Sequence, residues 1–117
     1  MDIENQVCSL ELAKKLLTLG VKQNSLFYWD WHSDTCYAVK FVPYSCPGIE
    51  RYSAFTVAEL GEMLSFGIIS VKRTLEFFYC GEGLDVEDVG FDERTEADAR
   101  AKMLIYLIEN NLMEIYQ

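Results

Sequence analysis

The sequence predicts an α+β fold: an antiparallel β-sheet with about three helices packed on it, with residues 1–117 forming a single domain. Three observations lead there. Stretches with apolar residues at helical spacing lie before, between and after the sheet-forming runs. Aromatic and β-branched residues gather in short runs separated by polar turns, which suits an antiparallel pair. Finally, a chain of 117 residues, half of them hydrophobic and 14% aromatic, can bury a core without disulfide or metal staples.

Ser9–Leu19 reads as the first helix, with Ser9 as its cap and Gly20 as the residue that stops it. Glu11, Lys14, Lys15 and Thr18 form its polar stripe, while Leu12, Ala13, Leu16, Leu17 and Leu19 are expected to face inward. Leu26–Trp31 is dense in aromatics and Tyr37–Val42 alternates. The polar tetrapeptide His32–Thr35 between them fits a hairpin loop. Pro43–Ser53 holds both prolines and a glycine and reads as a surface loop. Thr56–Leu64 is the second helix. Its start carries a capping box, Thr56 with Glu59, and a hydrophobic staple, Phe55 with Leu60. Leu75–Cys80 and Ile68–Lys72 are strand candidates.

Glu82–Asp98 contains eight acids and one base, Arg94, and reads as an exposed loop leading into the last helix. Thr95–Leu112 is the most strongly marked segment. Thr95 caps it, Asp98 is placed to answer the cap, and Asn110–Asn111 is its stop. Ala97, Ala101, Leu104, Ile105, Ile108 and Leu112 recur at helical spacing. Met103–Ile108 adds six consecutive apolar residues, which cover every side of a helix. Such a helix is either central to its own domain or packed in part against a second copy.

No apolar run approaches a membrane span, and MDIENQ has neither the basic nor the apolar region of a secretory signal. The expectation is therefore a cytoplasmic protein whose cysteines, Cys8, Cys36, Cys46 and Cys80, are reduced thiols. A net charge of −9 disfavours a phosphate-binding surface, because such binding relies on Lys and Arg displacing counterions.

Several chemical readings can be weighed against plain folding roles. Residues 13–27 resemble the opening of a helix-turn-helix, with Lys22–Trp31 as recognition helix. Phe27, Tyr28, Trp29 and Trp31 favour a strand instead, and Lys22 is the only base there. Asp85, Glu87, Gly90 and Glu96 fall on positions 1, 3, 6 and 12 of a calcium-binding loop, but Val89 occupies a ligand position. A zinc site drawn from His32, Cys36, Cys46 and Cys80 lacks the paired spacing that such sites use. His32 is the only histidine and has no evident orienting partner, and no glycine-rich phosphate loop occurs. No cofactor, metal, catalytic residue or small-molecule substrate is expected.

Two surfaces remain as interaction candidates. Phe27, Trp29 and Trp31 share one face of the first strand, and Leu26, Tyr28 and Asp30 the other. Both faces are largely apolar, so the sheet is either covered on two sides or open to a partner. The second candidate is the acidic segment, represented by Glu82, Asp85, Glu87 and Asp88.

The strings VCSLELAKKLLTLGVKQNSLFYW (Val7–Trp29), FTVAELGEML (Phe55–Leu64) and TEADARAKMLIYLIENNL (Thr95–Leu112) resemble a family of small proteins encoded by phages and prophages of gut bacteria. The similarity covers about half the chain in three blocks. Members often follow the Met-Leu pair with proline; Ser65 stands there in this chain. The resemblance implies an accessory protein of a mobile element, acting in the bacterial cytoplasm, and carries over no catalytic or binding residue.

The expected function is non-enzymatic, through contact with a protein partner or by self-association. One variant is an acidic inhibitor that imitates DNA. The alternative is a nucleic-acid-associated regulator using the helix-turn-helix-like segment Ser9–Trp31, with Lys14, Lys15 and Lys22. A third class, an enzyme, requires His32 in a pocket beside Cys36 or an acid.

Overall fold

A computed structural model describes the backbone of residues 3–33, 36–41, 51–64 and 67–113, and the side chains among them outside 30–41. The chain is α+β. It contains α1 (Leu10–Thr18), β1 (Phe27–Ser33), β2 (Cys36–Phe41), β3 (Arg51–Ser53), α2 (Val57–Met63), β4 (Ile69–Lys72), β5 (Phe78–Gly81), β6 (Gly90–Glu93) and α3 (Glu96–Glu109). No helix among the described residues is long and apolar enough to cross a membrane.

Among the described residues, six strands form two three-stranded antiparallel sheets, ordered β2-β1-β3 and β4-β5-β6, where the sequence predicts one sheet. The β1–β2 and β4–β5 pairs do not join each other, and each gains a third strand from a predicted loop. Arg51–Ser53 pairs with β1 through Tyr28↔Ser53 and Asp30↔Arg51, so the loop expected over Pro43–Ser53 ends earlier; residues 42–50 lie outside the described ones. Gly90–Glu93 pairs with β5 through Cys80↔Phe91 and Tyr79↔Asp92, so the acidic segment is not one continuous loop. At the hairpin expected over His32–Thr35, β1 extends through Ser33, and Asp34 and Thr35 lie outside the described residues. The strand predicted from Leu75 begins at Phe78, because the Arg73 and Thr74 N–H groups both donate to the Phe77 carbonyl and close a turn.

The helix ends follow the local rules except at the start of α1, where Ser9 takes the N-cap position but its side chain makes no capping hydrogen bond. Gly20 has φ 91° and Asn111 φ 57°, the left-handed conformation that terminates a helix. After α1, the Val21 N–H donates to the Leu16 carbonyl and the Gly20 N–H to Leu17. The same pair of bonds recurs after α3, from Leu112 to Leu107 and from Asn111 to Ile108. At α2 the capping box is complete: the Thr56 hydroxyl accepts the Glu59 N–H, and the Glu59 carboxylate accepts the Thr56 N–H. Glu59 also accepts the Leu26 N–H at 3.2 Å, tying the start of α2 to the entry of β1.

Helix α3 is central. Ala97, Ala101, Leu104 and Ile105 pack with Cys8, Ala13, Leu16, Val21, Phe55 and Leu60. Its other side, Ala99, Met103 and Leu107, packs with Cys80 and with Phe78 and Phe91 of the second sheet. The apolar run Met103–Ile108 is thereby explained: one helix serves two clusters on different sides. Leu17 and Leu112 depart from expectation, at 41% and 53% exposure. Leu17 sits beside Leu16 at the margin of the α1 stripe, and Leu112 follows the helix end.

Asp98 does something no local rule predicts. Its own N–H donates to Thr95 at 3.2 Å, but its carboxylate does not return to the Thr95 amide. It accepts the N–H of Ser9, the N-cap of α1, at 2.7 Å, and so joins the starts of two helices 89 residues apart in sequence. Burial raises the Asp98 pKa, opposed by the Ser9 bond and by Lys102, and reinforced by Glu93. A raised folded-state pKa means that the native state binds the proton more tightly. Stability from this group is therefore greatest below the unfolded carboxylate range and falls as pH rises through the raised value. Two substitutions should act oppositely in urea melts at neutral pH. Asp98→Ala orphans the Ser9 N–H and costs about 1–3 kcal/mol. Asp98→Asn keeps an acceptor and removes the partly buried charge, so it should match or exceed the parent, the parent regaining ground as the pH is lowered.

Candidate functional site

The outer face of the second sheet is built around one tyrosine. Alternation along β5 sends Phe78 and Cys80 toward α3 and Tyr79 away from it. An outward tyrosine on a small sheet should be open to solvent, yet Tyr79 is only 4% exposed. Its surroundings account for this. The Arg73 guanidinium stacks over its ring at 4.1 Å and pairs with Asp92 at 3.3 Å. Gly81 and Gly90, paired across β5 and β6, leave the space in which the phenol lies; a methyl on either would overlap it. The Tyr79 hydroxyl donates to the Gly83 carbonyl, pinning the loop that joins the two strands. Burial pushes the phenol pKa up, against the pull of Arg73.

That loop, Glu82–Val89, is ordered by its own bonds. The Glu82 N–H donates to the Val89 carbonyl at 2.9 Å, extending the ladder by one step. The Asp88 N–H donates to the Asp85 carbonyl, and the Asp88 carboxylate accepts the Asp85 N–H, both at 3.0 Å. Between loop and sheet lies a cleft of about 540 Å³, lined by Arg73, Tyr79, Leu84, Asp85, Val86 and Asp88 among others.

The eight acids of residues 82–98 separate into two groups. Asp88, Asp92, Glu93, Glu96 and Asp98 each have an internal partner: the Asp85 N–H, Arg73, Lys102, the Ser70 hydroxyl and the Ser9 N–H respectively. Glu82, Asp85 and Glu87 are exposed, and their carboxylates have no partner among the described residues. They alternate with Leu84, 62% exposed, and Val86, fully exposed. The sequence pointed to Glu82, Asp85, Glu87 and Asp88; the structure sets Asp88 apart as part of the loop's frame.

The aromatic strand is placed elsewhere. Trp29 packs on the helical core, and its indole N–H donates to the Cys8 carbonyl at 2.8 Å. Tyr28, on the other face, is half-buried, with the Arg51 guanidinium 5.4 Å from its ring centre. The side chain of Trp31 lies outside the described ones. Tyr28 and Trp29 are not brought together with the acidic loop.

The supposed recognition helix Lys22–Trp31 is instead an irregular stretch followed by β1, so no helix-turn-helix forms there. Of the calcium-loop positions, Gly90 belongs to β6, and Glu96 begins α3 and accepts from Ser70. Among the described residues, no three His, Cys, Asp or Glu side chains are placed to hold a metal ion. The His32 and Cys36 side chains and all of Cys46 lie outside the described residues. Cys8 and Cys80 are buried, which pushes their thiols up to about 12 and about 11. Thiolate is the reactive form. In a Cys36→Ser/Cys46→Ser background, neither remaining thiol should react with DTNB at mildly alkaline pH until denaturant is added.

Sequence reasoning missed Tyr79, Arg73, Leu84 and Val86. One signal was available: glycines at 81, 83 and 90 around an aromatic strand leave room for a ring to lie over backbone, as when an aromatic side chain covers a cross-strand glycine. Compared with protein-family models, with curated proteins and with solved structures, the chain matches none of them.

Proposed function

We propose that this chain is a non-enzymatic accessory protein of a phage or prophage that works in the bacterial cytoplasm by docking a protein partner. The resemblance of the three sequence blocks supports the origin and setting. The contact is assigned to the loop Glu82–Val89. One observation carries that assignment: Leu84 and Val86 stand exposed on a loop that Tyr79 and Asp88 hold in one shape. A framed loop presents them at low ordering cost, which favours association. Burying both in a partner would supply about 3–5 kcal/mol before the costs of association.

The test is photocrosslinking in an enteric bacterial host, with benzoylphenylalanine placed at Val86 or, as control, at Leu17. A discrete protein adduct from position 86 that is lost on Leu84→Ser is expected. Adducts of equal yield from both positions, or none from 86, would refute the docking role.

A further inference from the structure

We infer that the partner presents a basic surface: an apolar depression bordered by lysine or arginine. This rests on the docking reading above and narrows it to one class of partner. The order of side chains along the loop is acid, glycine, apolar, acid, apolar, acid: Glu82, Gly83, Leu84, Asp85, Val86, Glu87. These three exposed carboxylates have no partner among the described residues, whereas the other five acids of the segment are engaged. The nearby cation of the cleft, Arg73, is already held by Asp92 and stacked on Tyr79, so it does not neutralise them. A neutral or acidic surface that covered Leu84 and Val86 would strip water from three carboxylates and return nothing to them. Cationic side chains flanking the apolar contact satisfy all three and steer the approach of a chain carrying −9. A second copy of this chain is a poor occupant for the same reason, since it brings the same acidic loop and the same net charge.

The experiment measures fluorescence anisotropy of three labelled 14-residue peptides against the full chain: an amphipathic Lys/Leu peptide, a Lys/Ser peptide of equal charge, and an amphipathic Glu/Leu peptide. Expected is saturable binding of the Lys/Leu peptide, with the Lys/Ser peptide weaker by about tenfold or more, as loss of the apolar contact implies. Leu84→Ser/Val86→Ser and Glu82→Gln/Asp85→Asn/Glu87→Gln should each weaken it by about tenfold, as truncations at a contact centre do. Glu4→Gln/Glu11→Gln/Glu62→Gln removes equal charge at exposed sites away from the loop and should change affinity less than twofold. Equal losses from the two charge-neutralised variants would overturn the inference, because the binding would then reflect bulk acidity. Glu/Leu binding as tight as Lys/Leu and sensitive to the Leu84/Val86 pair would overturn it while leaving the docking loop intact. All substituted residues are exposed, and far-ultraviolet circular dichroism checks that each variant is folded.

Discussion

Truncating Leu104 to alanine should lower the unfolding free energy by about 2–5 kcal/mol, and Met103→Ala should do the same through a different part of the molecule. The two residues are neighbours in α3, about 100° apart around the helix, and both are essentially inaccessible, at 1% and 0%. Leu104 fills the cluster made by α1, Phe55 and Leu60, whereas Met103 fills the one that α3 shares with Cys80. Each truncation removes buried methylene and leaves a cavity whose walls belong to different elements. Native-state hydrogen exchange separates them. Leu104→Ala should speed exchange at the Leu60 amide of α2, and Met103→Ala at the ladder amides of β5 and β6. A loss below about 1 kcal/mol for either would mean that α3 is not the shared wall of two clusters.

That helix also shows how far the residues could be read in advance. Its cap, its stop and its apolar stripe are local properties, and the sequence displays all three. So are the Thr56–Glu59 capping box and the turn at Gly20, since each depends on residues within a few positions of one another. The remaining features depend on partners far away in sequence. β6 is four residues, Gly-Phe-Asp-Glu, with one apolar side chain, and becomes a strand because β5 offers a ladder. β3 is three residues lying against β1. Asp98 has an ordinary capping position and an extraordinary partner, Ser9. At the candidate site the acids were visible and their division was not. Whether an acid is engaged depends on where Arg73, Lys102 and Ser70 come to lie. Trp29 fails in the opposite direction, since an aromatic run reads equally as core and as contact until the Cys8 carbonyl is seen to accept its N–H.

Gly90→Ala should destabilise the fold by about 3 kcal/mol, near the upper end for overpacking, because the added methyl lands on a side chain with nowhere to go. Tyr79 is confined from above by the Arg73–Asp92 pair, at its tip by Gly83 and from below by Gly81 and Gly90. A ring displaced from that slot loses the burial of a large aromatic and its hydroxyl bond together. The attribution to Tyr79 can be separated by a double-mutant cycle. Tyr79→Phe alone should cost about 1 kcal/mol, the worth of one hydrogen bond. Gly90→Ala introduced into Tyr79→Ala should cost far less than in the parent, because the atoms it would strike are gone. A penalty unchanged by removing the ring would place the strain in the backbone of β6 instead. The same variant probes the functional proposal from a distance. Gly90 itself contributes no side chain to the contact, but expelling Tyr79 releases the Gly83 carbonyl and with it the shape of the Leu84–Glu87 segment. Crosslinking from position 86 should therefore fall in Gly90→Ala at temperatures where the protein is still folded, and recover in no variant that leaves Tyr79 displaced.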